Sequence, residues 1–322
     1  MIEDRDTLLG LWQRMTRIRR FEERASTDKE ADLLEGYIHN YSGQEAIATG
    51  IITQLRADDW ITSTYRNHGH SIARDVPLEA MTGELLGRTT GVCGGKGGSM
   101  HAVDQDLGMI GGMGIVAGGM PIAAGAALAA RRRGQDRVAV TFFGDGAVHQ
   151  GAFHESMTFA ALFNCPVIFV CENNLYAETT AVDYHLIAGS VIAMAEPYGV
   201  HATQVDGMDV FAVRDAAEQL IARARYTGRP ALLEAMTYRY GGQYEGDTQT
   251  YKPPQEVAQW RARDPLLTFR RRVTEPGLLT HGDLDEVAER SRVEVADAFA
   301  AAALAPWPDP SVLLTDVYTE IS

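Results

Sequence analysis

Residues 137–174, "RVAVTFFGDGAVHQGAFHESMTFAALFNCPVIFVCENN", hold two apolar runs separated by one longer stretch. The runs 137–143 and 166–172 are continuous rather than alternating, as expected of strands buried on both faces. Residues 147–163 between them read as a helix. Strand–helix–strand repetition implies a parallel sheet with right-handed crossovers. The first run ends in Gly144-Asp145-Gly146 and the second in Asn173-Asn174. Strand ends of parallel sheets open onto the crevice in which α/β proteins bind ligands. If the two strands are neighbours, the Asp145 carboxylate and the asparagine oxygens converge on one point. A carboxylate, an amide oxygen and a backbone carbonyl are hard ligands suited to Mg²⁺ or Ca²⁺, and Mg²⁺ usually completes its shell with phosphate oxygens. A helix beginning near Ala147 would aim amide donors at the same place, and Gly144 and Gly146 would leave it unobstructed. Either motif alone is an ordinary turn. Together, at consecutive strand ends, they predict a metal-bridged diphosphate.

Working outward, residues 199–207 contain a third strand, 208–227 a helix capped by Asp209, and 231–240 a fourth strand. On the N-terminal side, Leu8, Leu11, Trp12, Met15, Ile18 and Phe21 share one face of a helix over 7–27. Residues 44–55 form a second helix, and 58–70 a short strand ending in a polar loop. The stretch 87–125 is glycine-rich, with no regular element expected before Pro121. Its Met, Ile and Val are unlike a flexible linker, so it reads as an ordered loop approaching a ligand closely. A helix of small residues follows from Pro121. Helices are expected near 254–272 and 282–303, then a Pro-rich tail at 305–314. The expectation is one α/β domain over 1–322, its core at about 40–240, with extra helices at both ends.

Composition excludes several classes. The chain has 322 residues, 45% of them hydrophobic, and 43 acidic against 29 basic side chains give a net charge of −14. Such a surface repels nucleic acid and anionic membranes. The N-terminus is acidic, no apolar signal region follows, and no stretch approaches the length of a membrane span. Cys93, Cys165 and Cys171 form no CxxC pair. A reducing, cytoplasmic setting fits. Residues 144–151 lack the dinucleotide glycine spacing, which argues against a nicotinamide oxidoreductase, and Lys96 is followed by glycine, not by Ser or Thr as in a Walker loop. His68 and His70 lack a third ligand at recognisable spacing, so zinc is not expected. His149 stays open, His154 reads as solvated or core-satisfied, His101 as a candidate for the cofactor's edge, and His185 and His201 as structural.

"GDG…ENN" resembles the thiamine-diphosphate signature. The wider chain resembles the α subunit of the first component of 2-oxo acid dehydrogenase complexes, through "RMTRIRRFEER", "YIHNYSGQEAIATG", "TYRNHGHSIARD", "GKGGSMH", "GIVAGGMPIAAGAALA", "VCENNLYA", "VDGMD" and "EAMTYRY". "ENNLYAETT" and "YEGDTQTYKPPQEV" are most similar to the acetoin-dehydrogenase type and its bacterial pyruvate-dehydrogenase relatives. The resemblance implies the thiamine-diphosphate-binding fold, a parallel sheet with helices on both faces. It implies Mg²⁺ on Asp145, Asn174 and the Tyr176 carbonyl. Tyr65 and Arg66 would reach the diphosphate; Gly144, Gly146, Ala147 and Gln150 would line the same end; His39 and His68 would lie near the phosphates; and the backbone of Gly114 and Val116 would meet the aminopyrimidine. The main catalytic glutamate would come from a β subunit in an α₂β₂ heterotetramer, and the acyl group from a small 2-oxo acid or acyloin would pass to a lipoyl acyltransferase component. His68 and Gln243 are the chain's own catalytic candidates.

One departure stands out. Where the family usually has a His-Gly-His loop after "TYRY", this chain reads Gly241-Gly242-Gln243-Tyr244. Glutamine donates hydrogen bonds but cannot relay a proton near neutrality. Glu178 also replaces an apolar residue found in some relatives. An acyloin-cleaving or acyloin-forming enzyme without a lipoyl partner is therefore an alternative, and a non-catalytic scaffolding subunit a third.

Overall fold

The computed structural model describes residues 4–316; the first three residues of the acidic N-terminus lie outside them. The strands are β1 (Trp60–Thr64), β2 (Met109–Met113), β3 (Ala139–Gly144), β4 (Val167–Asn173), β5 (Tyr176–Ala177), β6 (Thr180–Ala181), β7 (His201–Asp206) and β8 (Ala231–Met236). The helices are α1 (Arg5–Glu30), α2 (Glu45–Ile52), α3 (His68–Ala73), α4 (Leu78–Leu85), α5 (Gly119–Arg132), α6 (Gly151–Phe163), α7 (Val182–His185), α8 (Val191–Ala195), α9 (Val210–Thr227), α10 (Pro254–Arg261), α11 (Pro265–Thr274) and α12 (His281–Leu304).

Six strands form one sheet in the order β2-β1-β3-β4-β8-β7, and every neighbouring pair is parallel. The two-residue strands β5 and β6 make a separate antiparallel hairpin directly after β4. The continuous apolar runs have the cause expected of them. Val140, Phe142, Ile168 and Val170 enter one core with α2 and α9. Their alternates Ala139, Phe143, Val167, Phe169 and Cys171 enter a second core with α5 and α6. Successive side chains of a strand point to opposite faces, so only apolar residues at both parities suit a sheet covered on both sides.

The small residues of α5 let it press on the sheet. Ala123, Ala124, Ala127 and Ala130 are buried, and a Cβ on Gly119 would stand 3.0 Å from Thr62 Oγ1 of β1. The terminal helices cover the α2/α9 side. Trp12 Nε1 donates to the Leu284 carbonyl at 2.8 Å, Thr16 and Ser291 hydroxyls meet at 3.0 Å, and the Phe21 and Phe299 rings lie 5.4 Å apart. The paired numbers ascend together, so α1 and α12 run side by side in the same direction.

Several boundaries differ from the sequence expectation. A strand, β2, lies inside the glycine-rich stretch. Gly111 and Gly112 carry no side chains to give a period, so pairing with β1 at the sheet edge decides it. The polar loop expected after β1 turns into α3 at His68. The helix expected from Ala147 begins as one 3-10 turn, Asp145–His149; Gln150 is extended (φ −79°, ψ 141°), and the α-helix starts only at Gly151. The fourth strand ends at Met236 rather than 240. The helix expected at 254–272 is two, because Pro265 begins a new helix capped by Asp264. Asp209 caps α9 as expected, accepting from Phe211 and Ala212 amides.

The glycine-rich segment before β2 is ordered by one acid. Glu84, 1% exposed, accepts from the backbone amides of Cys93 (2.7 Å), Gly95 (3.0 Å), Gly97 (2.6 Å) and Gly98 (2.9 Å). Gly95 has a φ of 80°, and a Cβ there would lie 2.6 Å from the Gly87 backbone, so the wrap around the carboxylate requires glycine. Each charged hydrogen bond contributes roughly 1.5–3 kcal/mol. Glu84→Ala should therefore cost at least about 3 kcal/mol in urea denaturation and admit protease cleavage within residues 91–98.

Candidate functional site

The C-terminal ends of β1, β2, β3, β4 and β8 surround a cavity of about 290 Å³. β1 leads into Tyr65 and Arg66, β2 into Ile115, Val116 and Ala117, β3 ends at Gly144 and leads into Asp145 to Ala147 and Gln150, β4 supplies Glu172 and leads into Asn174, Tyr176 of β5 and Glu178, and β8 leads to Arg239 and Gln243. The sheet order reverses between β1 and β3, and that switch point is where open α/β sheets hold ligands.

β3 and β4 are direct neighbours, with Gly144 opposite Glu172. The register carries Asp145 and Asn174 to the same edge. Asp145 is 1% and Asn174 7% exposed, and the Asn174 amide donates to Asp145 Oδ1 at 3.3 Å. Asn174 Oδ1 accepts from the Tyr176 amide at 3.3 Å, while its Nδ2 donates to Gln44 Oε1 at 3.1 Å. The two glycines beside Asp145 do different things. A Cβ on Gly144 would meet nothing within 4 Å and would simply fill cavity space, whereas one on Gly146 would lie 2.6 Å from the Ala177 Cβ. Gly146 therefore admits the β5 turn against Asp145. That turn holds two non-glycine residues in the left-handed region, Leu175 (φ 72°) and Glu178 (φ 56°). Such strain persists only where surrounding structure over-determines it; here Arg239 Nη2 donates to the Glu178 carbonyl at 2.8 Å.

Two guanidiniums face this space. Arg66 is 4% and Arg239 1% exposed. Neither has a carboxylate within ion-pairing distance among the described residues. Arg66 donates to the carbonyls of Asn40 and Gln243, the latter at 3.2 Å. Arg239 donates to Gln243 Oε1 and to the Tyr251 hydroxyl, and its Nε has no partner. Burial, with Arg239 close by, pulls the Arg66 guanidinium down to about 10. Buried cations without a direct ion pair are expensive, and an anion bound in the cavity would give them one. The same wall carries the buried carboxylates of Asp145 and Glu172, so the guanidiniums sit in a cavity of mixed charge. The donor set fits a hard cation and a diphosphate: carboxylate, amide oxygen and backbone carbonyl at one end, guanidiniums across from them.

Gln243 is fixed at both ends of its amide. Oε1 accepts from Arg239, and Nε2 donates to the Tyr65 hydroxyl at 2.9 Å. The Tyr65 hydroxyl proton is thereby free to point into the cavity. The Lys252 ammonium anchors the same loop, donating to the carbonyls of Arg239 at 2.6 Å and of Gly241.

Other candidates lie differently. Ile115, Val116 and Ala117 reach the wall, and Gly114 is pressed against His101, whose Nε2 would lie 3.0 Å from a Cβ there. His39 stands behind Tyr65, ring centroids 4.5 Å apart. His68 does not line the cavity. It is 1% exposed and bridges Glu22, 3.1 Å from Nδ1, and Ser99, 3.0 Å from Nε2. Sequence reasoning missed Arg239 and Glu172. Each lies inside a quoted motif, "TYRY" and "CENN", so the signal was its place at a strand end rather than its residue type. It also treated His185 as structural, yet His185 Nε2 sits 3.0 Å from Asp145 Oδ2.

Comparison with known proteins gives a consistent picture. The family model described as "Dehydrogenase E1 component" matches residues 13–311. The α subunit of acetoin:2,6-dichlorophenolindophenol oxidoreductase from Cupriavidus necator is 45% identical over 316 residues, covering 98% of this chain and 95% of the relative. Its Bacillus subtilis namesake is 43% identical over 314 residues, covering 96% and 93%. The pyruvate dehydrogenase E1 component subunit α of Rhizobium meliloti is 38% identical over 310 residues, covering 96% and 89%.

His39 offers a test by titration. Burial first, then the nearby Arg66, lowers its imidazole to about 3. An unfolded histidine titrates near 6.5, so unfolding takes up a proton between about pH 6.5 and 3, and stability falls as pH drops through that window. His39→Gln cannot take up this proton. Urea midpoints measured from pH 7 to 4 should fall more steeply for the wild type than for the variant; parallel curves would contradict the buried, neutral imidazole.

Proposed function

The chain belongs to the dehydrogenase E1 component family, and we propose that it is the α subunit of a thiamine-diphosphate-dependent dehydrogenase that cleaves a C–C bond beside a ketone carbonyl, of an acyloin such as acetoin or of a pyruvate-like 2-oxo acid. The observation that carries the reading is the meeting of Asp145 and Asn174 at adjacent strand ends, opposite two guanidiniums that lack carboxylate partners.

When bound, thiamine diphosphate supplies a carbon nucleophile and an electron sink for that cleavage. The chain's own residues bind and orient. Asp145, Asn174 and the Tyr176 carbonyl are the residues that would hold Mg²⁺ against the diphosphate. Arg66 and the Tyr65 hydroxyl would donate to phosphate oxygens, Gly144 leaves the volume they need, and Gly146, Ala147 and Gln150 line the same end. Ile115 and Val116 are 76% and 44% exposed at the rim. An apolar rim beside an open cavity suits a second subunit that covers it. The partner is proposed to be a β subunit, in an α₂β₂ assembly.

Acceptor chemistry is narrowed by Gln243. A glutamine held between Arg239 and Tyr65 can orient but cannot relay a proton. This favours a substrate whose cleavage needs positioned hydrogen bonds more than proton relay from this loop. The two relatives of highest identity quoted above are named for acetoin and an artificial dye acceptor. An acyloin is accordingly preferred to pyruvate, with transfer to a lipoyl acyltransferase component as the alternative fate of the acyl group.

Co-expression with the partner subunit, followed by assay of acetoin, pyruvate and branched-chain 2-oxo acids with 2,6-dichlorophenolindophenol, tests the reading. Acetoin consumption dependent on both Mg²⁺ and thiamine diphosphate is expected. Asp145→Ala should lower cofactor affinity by more than about 100-fold, beyond the 10- to 100-fold typical of outer-shell losses. Dye reduction without added cofactor, or an unchanged Asp145→Ala, would refute it.

A further inference from the structure

His149 and His185 form a chain that ends on Asp145. His185 is the last residue of α7, just beyond the β5/β6 hairpin, and its Nε2 lies 3.0 Å from Asp145 Oδ2. His149 closes the 3-10 turn that Asp145 opens, and its Nε2 lies 3.2 Å from His185 Nδ1. The two rings meet edge to face at 5.3 Å. Hydrogen-bond direction follows from the acceptor at the end. An ionised carboxylate only accepts, so His185 donates through Nε2–H; with the ring neutral, its Nδ1 accepts from His149 Nε2–H.

The consequence falls on Asp145. Oδ1 already accepts from the Asn174 amide at 3.3 Å and Oδ2 from His185. With both oxygens held, the carboxylate plane is set, while each oxygen keeps a lone pair for a cation. The second hold comes from the far end of the segment that also carries Asn174 and Tyr176. The chain thus closes a ring from Asp145 through Asn174, Tyr176 and His185 back to Asp145. An Asp without the His185 contact would have only one backbone donor and could rotate about its side-chain torsions.

We propose that His185 is a positioning residue for the divalent-cation site, orienting Asp145 and itself oriented by His149. This rests on the reading that Asp145 holds the cation. Outer-shell partners of metal ligands typically change affinity by about 10- to 100-fold. The test uses the chain purified with its partner subunit, with Mn²⁺ as probe in the presence of thiamine diphosphate, free Mn²⁺ being counted by electron paramagnetic resonance. His185→Ala should weaken Mn²⁺ binding about 10- to 100-fold. His185→Gln, which keeps a donor of comparable reach, should recover most of it. His149→Ala, at an exposed side chain, should cost several-fold and supplies the test even if His185→Ala does not fold. Melting of the metal-free assembly provides the structural control. A lowered melting temperature with Mn²⁺ affinity within about twofold of wild type, for either alanine variant, would overturn the proposal, as would failure of His185→Gln to bind better than His185→Ala. A wild-type assembly that binds no Mn²⁺ with thiamine diphosphate would remove the underlying reading as well.

Discussion

The parallel pairing of β3 with β4 is the constraint on which the site depends. With Gly144 opposite Glu172, the next residues of the two strands emerge at one edge, and the Asn174 amide reaches the Asp145 carboxylate. Shifting the register by one residue would send every side chain to the opposite face. Both strands are buried on both faces by different cores, so the fit of particular apolar side chains to each core holds the register. The packing that makes β3 and β4 central thereby also fixes where two polar side chains meet.

Charge is handled in two opposite ways around this edge. Glu84 is a buried anion satisfied by backbone amides of a glycine-rich wrap. That wrap leads on to β2 and the loop at the cavity rim. Arg66 and Arg239 are buried cations held mostly by neutral oxygens, with no carboxylate paired to them among the described residues. The first arrangement is complete within the chain and acts as scaffold. The second leaves two guanidiniums without a direct ion pair at the cavity. A net charge of −14 coexists with a cavity in which two buried guanidiniums share the wall with the buried carboxylates of Asp145 and Glu172, where low dielectric makes local charges outweigh distant, solvent-screened ones.

Much of this was legible without coordinates. The runs at 137–143 and 166–172 announced β3 and β4 because a strand covered on both sides must be apolar at both parities. Asp209 announced the start of α9 because an N-cap is a local hydrogen bond. Asp145, Asn174, Tyr65, Arg66, Gly144, Ala147 and Gln150 could be named from motif and resemblance, and the structure places all of them at the cavity. Illegible were elements with no local signature. β2 runs through Gly111 and Gly112 and exists because β1 offers a pairing edge. The break at Gln150 separates a 3-10 turn from α6 with neither proline nor glycine at the break itself. His68 stands in a motif that implies the phosphates, yet is satisfied by Glu22 and Ser99 from α1 and the glycine-rich segment.

The sequence by itself determined the parallel α/β sheet, the order of its central elements and the chemical types gathered at its strand ends, since these follow from periodicity, capping and residue identity within a short window. Only the tertiary structure decided which polar groups complete one another. Arg239 against Gln243, Glu84 inside its four amides and His185 against Asp145 are partners 4, 9 to 14 and 40 residues apart. The physical reason is that a buried hydrogen bond depends on distance and direction to a fraction of an ångström. Such precision is set by how whole elements pack, and no local pattern in the chain encodes it.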